Sequence, residues 1–187
     1  MLETCGKNRE ERISMKTKTF RIIAVAIAMV LMAGCSQNQI LATLEASVAA
    51  TEVLVGALAV TGKIPPEIAV VITDAIAHLP GAYRQTTAEL ASTDVGAVKA
   101  AKIAGYYAET LAALQAVPDD AKVYAVMIGG SIEAFLSSLA QAQAQTANTT
   151  AKARTAAKFD ANQLQAIDAR AAALGVRMAA LKAVQAK

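Results

Sequence analysis

The spacing of apolar residues predicts helices along most of the chain from about residue 40 onward. Two segments show the pattern best, because their apolar side chains recur at alternating intervals of three and four, the spacing of one helix face. The first predicts a helix over residues 40–60, with Leu41, Leu44, Val48, Thr51, Val55 and Leu58 on that face. The second predicts a last helix that Asp160 caps, with Leu164, Ile167, Ala171, Leu174, Met178 and Leu181 on its face.

Four further helical stretches are predicted between these two segments. Pro65-Pro66 is typical of a helix start, and Pro80-Gly81 predicts a break or kink before a short helix over residues 82–91. The next helix is predicted to end near Ala116, before Pro118. The fifth is predicted over residues 121–145. Residues 145–158 then form either a loop or a frayed extension of that helix.

Gly129-Gly130 lies in the middle of this fifth helix. A glycine inside a helix costs ~1 kcal/mol relative to alanine, so a pair of them calls for a structural reason. A glycine pair permits another backbone to come close, and it also weakens the helix locally. The pair therefore predicts either a close helix crossing or a kink.

Together these patterns predict an all-α fold. No segment alternates at the period of two that strands show, and the connections are short, so we expect an antiparallel bundle of about five or six helices over residues 40–187. The apolar face of the last helix has two interpretations: a coiled coil with a protein partner through residues 160–187, or docking onto its own bundle. Docking is favoured because the pattern extends over fewer than three heptads.

The N-terminal part has a different pattern. Lys16, Lys18 and Arg21 precede a run of twelve mostly apolar residues, 22–33. As a helix this run would be roughly 18 Å long, too short to cross a bilayer core of about 30 Å, but it is typical of the apolar region of a secretory signal. Met15 stands at a suitable distance to be the start of that signal. Residues 1–14 are therefore either an upstream extension from a mis-assigned start or a genuine N-terminal tail.

The end of the apolar run resembles the lipobox of bacterial lipoproteins. Its residues are Met32, Ala33, Gly34 and Cys35, with Met32 where leucine is usual and Leu31 one place earlier. The resemblance implies cleavage between Gly34 and Cys35, lipid on the Cys35 sulfur and a lipidated tether over residues 35–39. Two or three acyl chains on one cysteine would hold the protein firmly at a membrane.

The residue after the cysteine bears on which membrane is reached. In the lipoproteins of enteric bacteria an aspartate there retains the protein at the inner membrane, so Ser36 favours the outer membrane, facing the periplasm. The alternative is an ordinary cleaved signal that happens to end beside a cysteine. The resemblance covers about twenty residues and names no family for residues 36–187.

The net charge of +3 belongs entirely to the first 34 residues. From Cys35 onward there are twelve basic and twelve acidic side chains, which removes the charge argument for nucleic-acid binding. The balance is uneven, with a net charge of −5 over residues 35–144 and +5 over residues 145–187. Either the last helix packs on an acidic bundle, which we favour, or the basic end contacts anionic lipid or an acidic partner.

Candidate chemistry is sparse. His78 is the single histidine, and we expect a surface position near a helix end. Asp119-Asp120 lack the spaced oxygen ligands of a calcium loop, so a helix-start role is expected. Of Tyr106-Tyr107, one ring is expected in the core, while the other could line a groove. We therefore predict no catalytic residues, no metal site and no cofactor.

Three functions remain open at this stage. The leading one is a non-enzymatic, membrane-anchored envelope lipoprotein that acts as a helical interaction or structural module. The second is a carrier or binding domain for an apolar small molecule or lipid, housed between loosely packed alanine-rich helices. The third is an envelope hydrolase, which would need a deep polar pocket that contains His78 or paired carboxylates.

Overall fold

The computed structural model describes residues 37–60, 64–92, 96–148 and 159–186. All of them belong to one compact unit that spans Cys35–Lys187. In the described part of the chain there are six α-helices and no β-strand, which confirms the all-α bundle. The helices are α1 (Gln37–Ala59), α2 (Pro66–Ala75), α3 (Leu79–Ala91), α4 (Gly96–Gln115), α5 (Lys122–Asn148) and α6 (Ala161–Gln185).

Five of the helices pack as a closed ring in the order α1, α5, α4, α3, α6. The short helix α2 packs against α1, α4 and α6 at the end of the ring where α1 terminates. Side-chain contacts give the directions: Thr43 and Ser47 of α1 meet Ser138 and Ser131 of α5, so these two helices are antiparallel. The pairs α5–α4, α4–α3 and α3–α6 are antiparallel as well. A ring of five cannot alternate throughout, so α1 and α6 are the one parallel pair.

The apolar helix faces predicted from sequence in α1 and α6 both point into the core. In α1, all six predicted positions from Leu41 to Leu58 are buried, and Thr51 among them is fully buried. In α6, all six predicted positions from Leu164 to Leu181 are buried. The Asp160 side chain caps α6 by accepting a hydrogen bond from the Asn162 N–H at 2.8 Å. The seam of α6 is therefore occupied by its own bundle.

The boundary between α2 and α3 differs from the prediction. The break lies at residues 76–78, after Ala75, and Pro80 falls in the first turn of α3. A proline breaks a helix in its interior, but in the first turn its missing N–H would have had no helical partner anyway. Pro80-Gly81 thus belongs to a helix start, and the prediction of a break at this position was wrong.

The glycine pair lies inside a continuous helix. The helix α5 runs through Gly129-Gly130 without interruption. A Cβ built on Gly129 would meet only the Leu114 Cδ1, at 3.9 Å, and one built on Gly130 would meet nothing within 4 Å. There is therefore space for a side chain at both positions, and a close crossing or a kink at the pair stays a prediction.

Three aromatic rings fill the centre of the ring of helices. Tyr83 of α3, Tyr107 of α4 and Phe135 of α5 are fully buried. Tyr107 makes edge-to-face contacts with both others, at centroid distances of 5.8 Å to Tyr83 and 5.9 Å to Phe135. Because alanine buries little area, these three rings supply much of the volume that the interior needs.

Two of the described helical segments, Gln37–Ala59 and Lys122–Ala144, are long and apolar enough to cross a membrane by length and composition. Their mean hydropathy is 1.5, and 50% and 39% of the residues in their most apolar windows are buried in the bundle. Core helices of soluble proteins meet the same criteria. In this fold the two segments are neighbours, and both contribute a buried face to the core.

Candidate interaction surface

The residues of the predicted lipid-attachment site, Met32, Ala33, Gly34, Cys35 and Ser36, lie outside the described residues. The structure begins at Gln37, which is already the first residue of α1. Any anchor on Cys35 would therefore be two residues away from a helix of the bundle. The end of the ring where α1 starts is also the end where α4 and α6 start and where α3 and α5 terminate. We call it the N-terminal end of the ring.

His78 lies on the surface, as predicted, in the turn before α3. Its side chain is 62% exposed, and its Nε2 lies 3.5 Å from Glu109 Oε1 of α4. The residue stands at the N-cap of α3, three residues after the end of α2, and its backbone carbonyl accepts a hydrogen bond from the Ala82 N–H.

The tyrosine pair divides as the sequence predicted. Tyr107 is fully buried in the core. Tyr106 is half-buried, and its hydroxyl donates to Glu89 Oε2 at 3.4 Å, which joins α4 to α3. The pair therefore contributes to packing and to a helix contact.

Asp119 and Asp120 lie in the turn before α5, consistent with the helix-start role. The Lys122 Nζ donates a short hydrogen bond to Asp119 Oδ1. This contact lowers the pKa of the exposed Asp119 carboxyl.

A cluster of buried hydroxyls is the feature that sequence analysis missed. The Tyr83 side chain extends from α3 across the interior to α1, where its hydroxyl lies 2.9 Å from both Ser47 Oγ and Thr51 Oγ1. It also lies within donor distance, 3.1 Å, of the Ser47 carbonyl. Thr43 and Ser138 pair at 2.9 Å farther along the α1–α5 seam. Thr51 stands among apolar positions in the α1 pattern, and this was the one signal that polar groups enter the core.

The seam between the parallel helices α1 and α6 carries a charged cluster. The Arg170 guanidinium bonds both carboxylate oxygens of Glu52, with Nε at 3.2 Å and Nη2 at 2.6 Å. Its Nη1 donates to Glu45 Oε1 at 3.1 Å. The hydrogen bond from Arg170 holds the pKa of the Glu52 carboxyl below its usual value. Both charged residues of α1 are therefore turned toward α6.

Replacing Arg170 with glutamine should lower the free energy of unfolding at neutral pH by about 1 kcal/mol, because Glu52 loses a bidentate partner and Glu45 loses a single hydrogen bond at a partly buried seam. The control is Arg84→Gln, which removes a single, more exposed contact to Asp168 and should change stability by less than about 0.5 kcal/mol. Urea unfolding measures both.

The loss of stability in Arg170→Gln should also depend on pH. Since the folded-state pKa of Glu52 is depressed, its contribution is present above the ordinary value of 4.5 and is lost as the pH falls through the lower folded-state pKa. The difference between wild type and Arg170→Gln should therefore shrink in acid. Equal losses for the Arg84 and Arg170 variants would contradict this account.

An open apolar groove runs between the C-terminal half of α4 and the N-terminal half of α5. Its volume is about 260 Å³. Leu111 and Leu114 form the α4 side, and Gly129-Gly130 form the floor that the missing side chains leave open. Lys122 and Glu133 stand along its α5 edge. We call this feature the α4–α5 groove.

Beside the groove, the outward surface of α1 and α5 is apolar. On α5, Val123, Val126 and Met127 are 65%, 62% and 43% exposed. On α1, Val53 is 69% exposed, and Ala42, Ala46 and Gly56 are exposed as well. The contacts Ser47–Ser131 and Thr43–Ser138 set the register, which places Val53 at the level of Val126 and Met127. We call these exposed residues the α1–α5 face.

This face has almost no charge. The 23 residues of α1 include only Glu45 and Glu52, which pair with Arg170 on the α6 side. The 27 residues of α5 include only Lys122 and Glu133, which stand at the groove. The helices α4 and α6 carry three and four charged side chains, and two of them on each helix are exposed, so the exposed charge lies mainly away from the α1–α5 face.

The described residues bear on the other functions as follows. No group of three or more His, Cys, Asp or Glu side chains that could hold a metal ion occurs among them. A carrier for an apolar molecule needs an enclosed cavity, whereas the three central rings occupy the interior and the α4–α5 groove is open. A hydrolase site would need partners around His78, and the imidazole of this exposed residue has an ion-pair contact with the exposed Glu109.

Comparisons with known proteins add no assignment. No protein-family model, no curated protein sequence and no solved structure matches this chain. The function of the protein is therefore inferred from its own residues.

Proposed function

We propose that this protein is a non-enzymatic lipoprotein of the bacterial envelope, anchored through lipid on Cys35 and acting as a helical interaction or structural module. The observation that carries the proposal is the order of parts around that cysteine. A basic lead, a short apolar run and Met32-Ala33-Gly34 precede it, and a helical bundle follows after a single intervening residue, Ser36.

The topology of the bundle supports this arrangement. Gln37 stands at the N-terminal end of the ring, so an anchor on Cys35 would bring that end to the membrane surface. The segment between α5 and α6 also starts and finishes at this end, at Asn148 and Phe159. Its sequence includes Lys152, Arg154 and Lys158 and no acidic residue before Asp160. Basic side chains near a membrane favour anionic headgroups by ~1 kcal/mol each.

The proposed module can offer surfaces only where the bundle leaves them free. The seam of α6 is filled by the protein's own core, so a partner that binds residues 160–187 would use the outward side of that helix, where Val176 and Val184 are 72% and 70% exposed. The α1–α5 face and the α4–α5 groove are the larger apolar surfaces. Ser36 favours the outer membrane as the site of anchoring.

The test is Cys35→Ser, with Cys5→Ser as the control that removes the other cysteine of the chain. In cell fractionation, the wild type and the control should sediment with membranes, and Cys35→Ser should lose that partitioning, since the acyl chains carry the attachment. Mass spectrometry of the N-terminal peptide should show a chain that begins at Cys35 and carries acyl groups, and density-gradient separation should place it with the outer membrane. Unchanged partitioning and an unchanged mass in Cys35→Ser would overturn the proposal.

A further inference from the structure

The α1–α5 face and the α4–α5 groove together form a surface on which the chain leaves apolar side chains in contact with water. Val53, Val123 and Val126 are each more than 60% exposed there. Soluble proteins seldom leave such side chains grouped on one side unless something covers them. The chemistry of the surface decides between a membrane and a protein as the cover.

A membrane-surface helix normally combines large apolar or aromatic side chains with lysine and arginine along its polar border. The α1–α5 face has neither feature. Its residues are alanine, glycine, valine and one methionine, and the charged residues nearest to it on α1 are the acidic Glu45 and Glu52. Small residues of this kind are instead suited to close helix–helix packing.

The charges at the groove are self-complementary. Lys122 and Glu133 have opposite signs, lie on the same edge of α5 and are eleven residues apart. If a second copy of α5 packs antiparallel across a two-fold axis midway between Met127 and Ile128, each Lys122 lies beside Glu133 of the other copy. The helical rise of 1.5 Å per residue puts the two ion pairs roughly 16 Å apart, at opposite ends of the contact.

The open floor of the groove fits the same axis. In this antiparallel pair, two residues lie at the same level when their numbers add to the same sum as 122 and 133. Val126 of one copy therefore lies at the level of Gly129 of the other. A Cβ at Gly130 meets nothing within 4 Å and one at Gly129 only Leu114, so there is room for an incoming valine. Lys122 already pairs with Asp119, and its ammonium has further donors for a second carboxylate.

We infer that the partner of this surface is a second copy of the chain, bound through antiparallel packing of α5 on α5 with α1 at the border. The contact is isologous, so one patch supplies both halves, as in most homodimers. Glu133, which makes no salt bridge with another described residue, gains one in the dimer, and the glycine pair gains the packing that the single copy does not provide. The inference does not depend on lipid at Cys35.

Cysteine crosslinking of the full chain in intact cells tests this arrangement. Val126→Cys puts a thiol on an exposed residue that lies close to the axis and on the same side of α5 as Lys122 and Glu133, and mild oxidation should give a disulfide-linked dimer as the main species. Val176→Cys, an exposed position on α6, is the control and should give little dimer. The unsubstituted chain is run beside both, so that dimers formed through Cys5 or Cys35 are subtracted.

Charge reversal then tests the geometry. In the Val126→Cys background, Lys122→Glu alone or Glu133→Lys alone should reduce the dimer yield by about tenfold, since like charges meet at both ends of the contact. The double reversal, Lys122→Glu with Glu133→Lys, should restore the yield. Thermal unfolding of each variant shows whether the bundle itself is intact.

Several results would overturn the inference. One is equal crosslinking at positions 126 and 176, which indicates random collision. Another is the absence of any dimer with the residue-126 thiol open to a water-soluble maleimide, which leaves the surface uncovered. A third is the absence of dimer together with a thiol that the membrane fraction protects from the maleimide, which would mean that lipid covers this surface. Failure of the double reversal to restore the yield would refute the antiparallel register.

Discussion

Replacing Phe135 with alanine should lower the free energy of unfolding by about 3–5 kcal/mol, the largest effect we expect from a single substitution in the core. Phe135 is fully buried, and its ring meets Tyr107 edge to face at 5.9 Å. The substitution leaves a cavity beside Tyr107 in the buried core, and the surrounding structure relaxes only partly into such a cavity. Native domains are stable by only ~5–15 kcal/mol, so the variant should be close to unfolding.

Urea unfolding followed by far-ultraviolet circular dichroism measures this loss. Val184→Ala, at a 70% exposed position on α6, is the control and should change the free energy by less than about 0.5 kcal/mol. A loss below about 1 kcal/mol for Phe135→Ala would mean that the three rings do not form the centre of the core.

The second large effect concerns the Tyr83 hydroxyl. Tyr83→Phe keeps the ring but removes the oxygen that lies 2.9 Å from Ser47 Oγ and Thr51 Oγ1. Because those hydroxyls stay buried and lose a partner, we expect a loss of about 1–3 kcal/mol. Tyr106→Phe is the matched control: its hydroxyl is only part-buried and makes one long bond to Glu89, so its removal should cost less than about 0.5 kcal/mol.

The same residue predicts behaviour in alkali. Burial raises the pKa of Tyr83 above its usual value of 10.0, and burial raises that of Tyr107 as well. A raised folded-state pKa means that the stabilisation is complete below pH 10.0 and is lost as the pH rises above it, since the unfolded chain releases its protons first. The phenolates of these two residues should therefore form together with unfolding. Phenolate absorbance from Tyr83 and Tyr107 in a protein that keeps its helical circular dichroism would contradict the buried positions.

Periodicity was sufficient to predict most of the fold. The three-and-four spacing of α1 and α6 identified residues that are buried in the structure, and the Asp160 cap was found from the residue type and its place before an apolar pattern. These features depend on local chemistry, because a helix in an aqueous bundle must turn one apolar face inward. The order of helices around the ring was not predicted, since it depends on which faces meet across long separations in sequence.

The errors occurred where a residue has two structural uses. Proline ends a helix in its interior but suits its first turn, and only the position of Ile76 to His78 in the turn decides between these for Pro80. Glycine has a similar ambiguity, because it serves close crossings and kinks and also leaves open space, and a Cβ built on Gly129 would meet only the Leu114 Cδ1, at 3.9 Å. The buried hydroxyls were missed because serine and threonine are ordinary surface residues unless a distant tyrosine meets them.

The candidate surface shows the same division between local and distant information. The low charge of α1 and α5 is visible in the sequence, but their adjacency is not, and neither is the position of Lys122 and Glu133 on one edge. The lipid-attachment residues, in contrast, form a short linear signal that needs no fold to be recognised. Sequence alone could therefore suggest an anchor, while a contact surface required the assembled bundle.

The odd number of helices in the ring has a practical consequence for labelling. Because α6 runs parallel to α1, it ends at Gln185, at the pole opposite the one where α1 starts, and its 25 residues span roughly 37 Å. If the pole where α1 starts is held at a bilayer, a reporter attached at the end of α6 would project into the aqueous compartment. Such a fusion would give microscopy and proteolysis experiments access to the protein without obstructing its attachment.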